Sequence, residues 1–194
     1  MTMEYSDTLK QTNAYAMQNG ALLGGWSLLC GALLVAAMSW SEAGWYFVPV
    51  AWATPVVCTV LTLRFRDKVA GRTGSFSFGR GFAHTFLMSL YASVWLALGV
   101  YLYLAYLDHG RVFDAYGRML ENPSVAADLE RSGMAAEIDR LTEGKGPSAL
   151  ADMMRAVPAA SYSAMVIYSA ILFSPPVSAI IALISRRRGR GKTA

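Results

Sequence analysis

The residues of this chain with the clearest chemical potential lie in one stretch, residues 64–82, which reads RFRDKVAGRTGSFSFGRGF. Cationic side chains mixed with glycines and aromatic rings are typical of loops that bind phosphate groups or nucleic acid. The last three residues of the stretch begin an RGFA sequence at residues 80–83, which matches the opening of the RNA-recognition signature. The candidate anion-binding residues are Arg64, Arg66, Lys68, Arg72 and Arg80.

Side chains that commonly perform catalysis or hold metals are few and scattered elsewhere. The chain has two cysteines and two histidines, with no CxxC or HExxH spacing and no GxSxG or serine–histidine–acid grouping. The carboxylates between residues 130 and 143 lack a partner histidine and are typical of a solvated helix face. We therefore predict no catalytic, metal or cofactor site.

The composition indicates a membrane protein. Only 15% of the 194 residues are charged and the mean hydropathy is +0.35, whereas soluble domains are about 25% charged. Four apolar runs contain no Lys, Arg, Asp or Glu, and each is long enough to cross a hydrocarbon core of about 30 Å. The predicted spans are residues 19–40, 45–63, 81–107 and 159–185.

Prolines and small residues predict the shape and packing of these spans. Proline has no amide hydrogen, so kinks are expected in the second and fourth spans, with the paired prolines of the fourth breaking its backbone ladder. Small residues four positions apart let helices approach closely. We expect packing within one chain, with homodimerisation as the alternative. The prolines are Pro49, Pro55, Pro175 and Pro176; the small residues are Gly20, Gly24, Gly81, Thr85, Ser89, Ser93 and Ala97.

The distribution of basic residues predicts the orientation. The loop after the second span and the tail 186–194 are both basic, and so belong on the cytoplasmic side. Residues 108–158 carry six basic and nine acidic side chains and belong outside. The chain is thus predicted to be a single all-α, polytopic membrane domain with four transmembrane helices and both termini cytoplasmic. Residues 108–158 form an extracytoplasmic insertion of three or four short amphipathic helices.

This topology changes the interpretation of the basic stretch. The sequence pI of about 9.2 reflects orientation, and the RGFA sequence opens a membrane helix rather than a strand, so nucleic acid is not an expected partner. Cations at a cytoplasmic membrane turn attract anionic lipid headgroups, by about 1 kcal/mol each. The predicted partners are therefore the lipid bilayer, anionic headgroups, and either a second copy of the chain or another membrane protein.

The stretch 63–86 resembles the signature of a bacterial membrane family called domain of unknown function 4199. The resemblance extends through the third span, the insertion and the last span, whereas the first span matches only in hydropathy. It implies a Bacteroidetes-type bacterium and an inner-membrane location, and it supplies no activity. The residues that carry it are Arg66, Asp67 and Lys68, then Gly74, then Ser77, Phe78 and Gly79.

These observations favour a non-enzymatic accessory or scaffold component of the bacterial inner membrane. A small-solute transporter or channel that uses proline-broken helices 2 and 4 is the first alternative, and a lipid-active enzyme is the last. The predicted spans contain no Lys, Arg, Asp or Glu, which argues against ion-coupled transport. His84 is the one histidine within them, and we expect it to have a hydrogen-bonded role near the interface.

Overall fold

The computed structural model describes residues 2–40, 43–71 and 74–188, and within them the protein is helical. No strand occurs in this part of the chain; Phe76 and Arg187 form an isolated antiparallel bridge. The predicted all-helical class is confirmed. The helices are α1 Thr2–Ser39, α2 Ala43–Trp52, α3 Thr54–Ala70, α4 Phe78–Leu102 with a π-helical turn Tyr103–Leu107, α5 Arg111–Leu120, α6 Pro123–Ser132, α7 Met134–Leu141, α8 Pro147–Ala156 and α9 Ala159–Ser185.

Three helical segments in the described ranges are long and apolar enough to cross a membrane: Ser6–Met38, Phe78–Leu107 and Ala159–Ser185. Helices α2 and α3 pass the same test together and make a fourth candidate if the pair is counted as one bent span. The protein therefore has three to four candidate membrane spans, as expected for a membrane protein with long apolar helices.

Helix α1 begins well before the apolar run that was predicted as the first span. It contains 38 residues and starts at Thr2, whereas the apolar run starts at residue 19. The preceding segment has no proline or glycine, and it carries small side chains at helical spacing that become buried. Thr12 is 2% exposed and Ala16 is not exposed, so tertiary packing extends the helix.

The prolines of the second apolar run flank a bend. Ala53 separates α2 from α3, and the two helices meet at an angle of 41°. Pro49 lies inside α2, and Pro55 lies in the first turn of α3. A missing amide hydrogen is harmless in that first turn, because no intrahelical acceptor is available there.

The prolines of the last run lie in a continuous helix. Pro175 and Pro176 are both inside α9, which is uninterrupted from Ala159 to Ser185. The broken helix that the transporter alternative required is therefore not present at this point. Proline fixes φ near −65°, which a helix accepts, and neighbouring groups in a membrane protein can satisfy the carbonyls that lose their amide donors. A kink without a break stays a prediction.

The chain divides into two compact units. The first comprises Met1–Gly99 with Ala164–Ala194, and the second comprises Val100–Ser163. In the first unit, a core of small and aliphatic side chains joins α1, α3, α4 and α9. Its buried members are Ala16, Leu23, Cys58, Leu61, Met88, Ala92 and Ile181.

The second unit contains four short helices, α5 to α8, where the sequence predicted three or four. Asn122 caps α6, because its Oδ1 atom accepts from the amide of Ser124 at 3.1 Å. Helices α5 and α8 pack closely at Gly117, where an added Cβ atom would lie 3.3 Å from that of Ala151. Phe113 and Leu120 on the same face of α5 are buried.

Candidate functional site

Glycines bring α1 close to α4. A Cβ atom on Gly20 would lie 2.5 Å from Cβ of Tyr91 and 3.0 Å from the carbonyl oxygen of Met88. A Cβ atom on Gly24 would lie 2.7 Å from Cβ of Trp95. These positions therefore accept only glycine at the present helix separation. The close approach aligns the polar residues of α1 with the start of α4.

The start of α4 packs against the end of α9 in the same manner. A Cβ atom on Gly81 would lie 2.8 Å from Oγ of Ser185. On α4, Thr85, Ser93 and Ala97 are buried. The partly buried Ser89 donates from Oγ to the carbonyl of Thr85 at 3.0 Å. The small residues at these positions thus contribute to packing within the chain, while homodimerisation stays a prediction.

A buried histidine connects α1, α3 and α4. His84 is 0% exposed. Its Nε2 atom lies 3.0 Å from Nδ2 of the Asn19 side chain, and its Nδ1 atom lies 3.3 Å from Oγ1 of Thr62. Thr62 Oγ1 lies 3.0 Å from Oγ1 of Thr85, which donates to the carbonyl of Gly81 at 2.9 Å. Both ring nitrogens therefore have protein partners, and the series of hydrogen bonds ends on the backbone.

The donors and acceptors of this network determine where its protons lie. The amide nitrogen of Asn19 can only donate, so Nε2 of His84 accepts and the ring proton is on Nδ1, which donates to Thr62. Thr85 already donates to the backbone, so Thr62 must donate to Thr85. If the amide of Asn19 were reversed, Thr85 would need two hydroxyl protons. One neutral tautomer of the imidazole thus satisfies every donor in the network.

Aromatic rings and a guanidinium group pack around His84. Phe65 is 1% exposed and stacks on the imidazole, with 4.2 Å between ring centroids and 11° between planes. Phe76 meets Phe65 edge-on at 5.7 Å. The guanidinium carbon of Arg80 lies 5.4 Å from the Phe65 centroid, within cation–π range. Arg80 also donates to Oε1 of Gln11 at 2.5 Å.

The first part of α1 completes this site, and sequence reasoning missed it. The Tyr15 ring lies 5.3 Å from that of Phe65, and Nζ of Lys68 lies 5.5 Å from the Tyr15 centroid. The missed signal is the spacing of Gln11, Tyr15 and Asn19, which are four residues apart and so share one helix face. These residues precede the apolar run that begins at residue 19, so hydropathy does not mark them.

Arg187 joins the residues after α9 to the loop between α3 and α4. Its backbone exchanges two hydrogen bonds with Phe76, of 2.8 and 3.1 Å. Its guanidinium donates to the carbonyl of Gly74 at 3.1 Å, to the carbonyl of Gly71, and to Oδ1 of Asp67 at 3.4 Å. One arginine thus supplies the donors for two loop carbonyls, so the loop and the C-terminal segment form one structure.

The five predicted anion-binding residues lie in different environments. Arg64 is exposed, and no hydrogen bond or ion pair joins its side chain to another described residue. Arg66 pairs with the adjacent aspartate at 2.9 Å. Lys68 and Arg80 lie over aromatic rings, and Arg72 lies outside the described residues. Of the four cations that the structure describes, three are thus engaged by other protein groups, and contact with an anionic lipid or a partner stays a prediction.

Potential metal ligands are dispersed. In the ranges that the structure describes, no three His, Cys, Asp or Glu side chains are arranged to hold a metal ion. The carboxylates between residues 130 and 143 include two local ion pairs, Glu137 with Arg140 at 2.7 Å and Glu143 with Lys145 at 3.5 Å. These pairs are exposed and contribute little to stability.

Comparison with known proteins gives a family. The profile of the family described as Protein of unknown function (DUF4199) matches residues 18–187. The chain belongs to this family. No curated protein and no solved structure shows a significant match.

The DUF4199 match includes most of the histidine-centred site. It begins one residue before Asn19, and its last residue is Arg187. Asp67 and Gly74, which carried the sequence resemblance, both bind the guanidinium of Arg187. Gln11 precedes the matched range. Two of the residues that carried the resemblance therefore help to fasten the loop between α3 and α4 through Arg187.

Proposed function

We propose that the protein is an integral membrane protein with four spans, located in a bacterial inner membrane, that acts as a non-enzymatic accessory or interaction scaffold. The observation that supports this most is the state of His84, which is fully buried with both ring nitrogens bonded to protein groups. A buried imidazole whose two nitrogens bond to side chains of the surrounding helices is well suited to holding those helices together. Here the imidazole joins three helices.

The exposed apolar side chains support insertion in a bilayer. Trp45 is 82% exposed and Trp52 is 80% exposed, at the two ends of α2. On α9, Leu172 and Phe173 are 68% and 65% exposed. Side chains of this size are seldom left in water in such numbers, whereas lipid tails or a neighbouring helix cover them without penalty.

The basic end of the first unit supports contact with anionic lipid headgroups. Arg64 and Lys68 are exposed at the end of α3, and Arg186 and Arg188 are exposed just after α9. Cations on the cytoplasmic side of a span are attracted to anionic lipids by about 1 kcal/mol each. This placement also supports a cytoplasmic location for both termini.

Reporter fusions test the topology. Alkaline phosphatase is active only outside the cytoplasm, so we expect activity from a fusion within residues 108–158 and none from a fusion after Arg188. Green fluorescent protein at the same two positions is the matched control and should give the opposite pattern. The reverse result for both reporters would show that the proposed orientation is incorrect.

Photo-crosslinking in intact membranes tests the scaffold role. A photoreactive residue at the exposed Arg64 should capture a defined membrane protein, whereas one at the buried Phe65 should not. The captured protein should retrieve this chain in the reciprocal experiment, and it should lose abundance or activity when this chain is deleted. Crosslinks to lipid alone, with no protein that meets both criteria, would refute a scaffold role.

A transporter or channel stays as the alternative because of the bend at Ala53. The angle of 41° between α2 and α3 suits a re-entrant or broken span of the kind that forms solute sites. The continuity of α9 removes the second broken helix on which this alternative relied. Solute flux in liposomes that is lost on Pro55→Ala would favour transport over the scaffold.

A further inference from the structure

The second unit contains a cavity of about 310 Å³. This volume is near the lower limit for sites that bind small molecules, which is about 300 Å³. The wall combines apolar and aromatic side chains with a few charged ones. Among the lining residues are Leu104, Asp108, Phe113, Arg155, Pro158 and Tyr162.

Asp108 is the unusual member of this wall. It is 1% exposed, and its Oδ1 atom accepts from the amide of Val112 at 3.0 Å, which caps the first turn of α5. Its Oδ2 atom is buried and forms no hydrogen bond with any residue in the described ranges. Tyr103 interacts with the carboxyl group through a side-chain hydrogen bond and through its charge, but Oδ2 itself has no close donor among the described residues. A buried acceptor of this kind is unfavourable unless something else supplies a donor.

Nearby cations do not satisfy this oxygen. The guanidinium of Arg155 bonds to the carboxylate of Asp114, and to that of Asp152 at 3.2 Å. His109 and Arg111 are exposed and form no ion pair with Asp108 in the part of the chain that is described. The wall itself holds one carboxylate, Asp108, and one guanidinium, Arg155. Because that guanidinium is paired with two other carboxylates and no ion pair among the described residues neutralises Asp108, the carboxylate of Asp108 favours a positively charged guest.

The surroundings identify the kind of cation. A metal ion needs several oxygen, nitrogen or sulfur ligands, and no metal-binding group occurs among the described residues. The hydroxyl of Tyr162 is already used, because it donates to the carbonyl of Met154 at 2.7 Å. Its ring packs against Phe113 with 5.6 Å between centroids. Aromatic rings beside one carboxylate suit an organic ammonium group.

We propose that this cavity binds a small organic ammonium group, whose N–H donates to Oδ2 of Asp108 while its carbon atoms contact Phe113 and Tyr162. The group could belong to a free amine or to the ethanolamine headgroup of a phospholipid. Asp108 directly follows Leu107, the last residue of a candidate membrane span, which brings both sources within reach. The proposal is independent of the scaffold role.

Hydrogen exchange on the full-length protein tests the proposal. Ethanolamine is added to the protein in nanodiscs of phosphatidylcholine, and in a second arm the nanodiscs contain phosphatidylethanolamine without free amine. We expect slower exchange at the start of α5 and at the α8–α9 junction in at least one arm. Slowing in the first arm assigns a free amine, and slowing in the second assigns the lipid. No slowing in either arm would overturn the proposal.

Two variants isolate the carboxylate. Asp108→Asn keeps an oxygen that can accept from the amide of Val112, but it removes the charge, so the apparent affinity should fall about tenfold to a hundredfold. Glu121→Gln also removes one negative charge, from an exposed residue at the end of α5 that does not line the cavity, and it should change affinity less than threefold. Equal losses in the two variants, or no loss in Asp108→Asn, would contradict the assignment.

A ligand series keeps the test decisive if Asp108→Asn does not fold. N-methylation removes the donors of the ammonium group while keeping its charge, so wild-type protein should bind ethanolamine at least tenfold more tightly than choline. Equal affinity for the two would show that no N–H reaches Asp108 and would refute the proposed contact.

Discussion

Replacement of Thr62 by valine tests the hydrogen-bond network around His84 directly. Valine has nearly the same shape as threonine, so packing is kept while the hydroxyl is lost. Thr62 is 0% exposed, and its hydroxyl takes part in two hydrogen bonds, with His84 at 3.3 Å and Thr85 at 3.0 Å. At about 0.6 kcal/mol for each bond inside a membrane protein, the loss is at least about 1 kcal/mol. The variant also leaves the Nδ1–H group of His84 without an acceptor, which raises the expected loss of stability to about 1–3 kcal/mol.

The measurement is unfolding of the purified protein by sodium dodecyl sulfate in mixed micelles, followed by helical ellipticity. Thr59→Val is the matched control, because Thr59 lies on the same helix and its hydroxyl makes an exposed bond to the carbonyl of Pro55 at 2.8 Å. That variant should lose less than about 0.5 kcal/mol. Equal losses at the two positions would refute the network.

A double variant tests the hydrogen bond between Thr62 and Thr85. Thr85→Val alone removes both the acceptor for Thr62 and the donor to the carbonyl of Gly81. In the Thr62→Val background only the second of these remains to be lost. The two free-energy changes should therefore be less than additive, whereas strict additivity would show that the two hydroxyls do not interact.

Three further changes follow from the packing. Gly20→Ala should destabilise the protein by about 1–3 kcal/mol because the added methyl group pushes α1 away from α4. Gly25→Ala is the control: nothing lies within 4 Å of the added atom, so this variant should be neutral or stabilising in the same assay. Arg187→Gln should increase deuterium uptake in the loop between α3 and α4, while Arg186→Gln should not; equal uptake would contradict the proposed contacts. Pro176→Ala should raise stability by restoring an amide donor inside α9, and a lower unfolding midpoint would contradict this.

Hydropathy alone predicted the long apolar helices, because membrane spans need length and lack of charge rather than specific partners. The run predicted at 159–185 is the helix Ala159–Ser185. The paired prolines left a kink and a broken helix open as alternatives, since sequence shows the missing amide donors but not the packing that keeps a helix continuous around them. The start of α1 before residue 19 was not predicted for a related reason, because the burial of these residues depends on contacts with other helices.

The site around His84 was only partly predictable. The sequence indicated a hydrogen-bonded histidine near the end of a span, and it marked Gly20 and Gly81 as positions of close helix contact. It could not show that Asn19 and Thr62 are the partners, because the relative rotation of two helices is set by packing along their whole length. Arg187 was assigned to a basic tail, since charge counting does not distinguish a solvated arginine from one that binds backbone carbonyls.

The contacts of Arg187 have a consequence for the order of biosynthesis. The carbonyl of Gly74 bonds to a side chain 113 positions later in the chain, so the turn between α3 and α4 leaves the ribosome long before its partner is made. Until then the loop carbonyls can be satisfied only by water or lipid headgroups. A nascent chain stalled after α4 would present apolar helices with an open turn, and release of the last helix would close it. The contacts that hold this turn are therefore among the last that the chain can form.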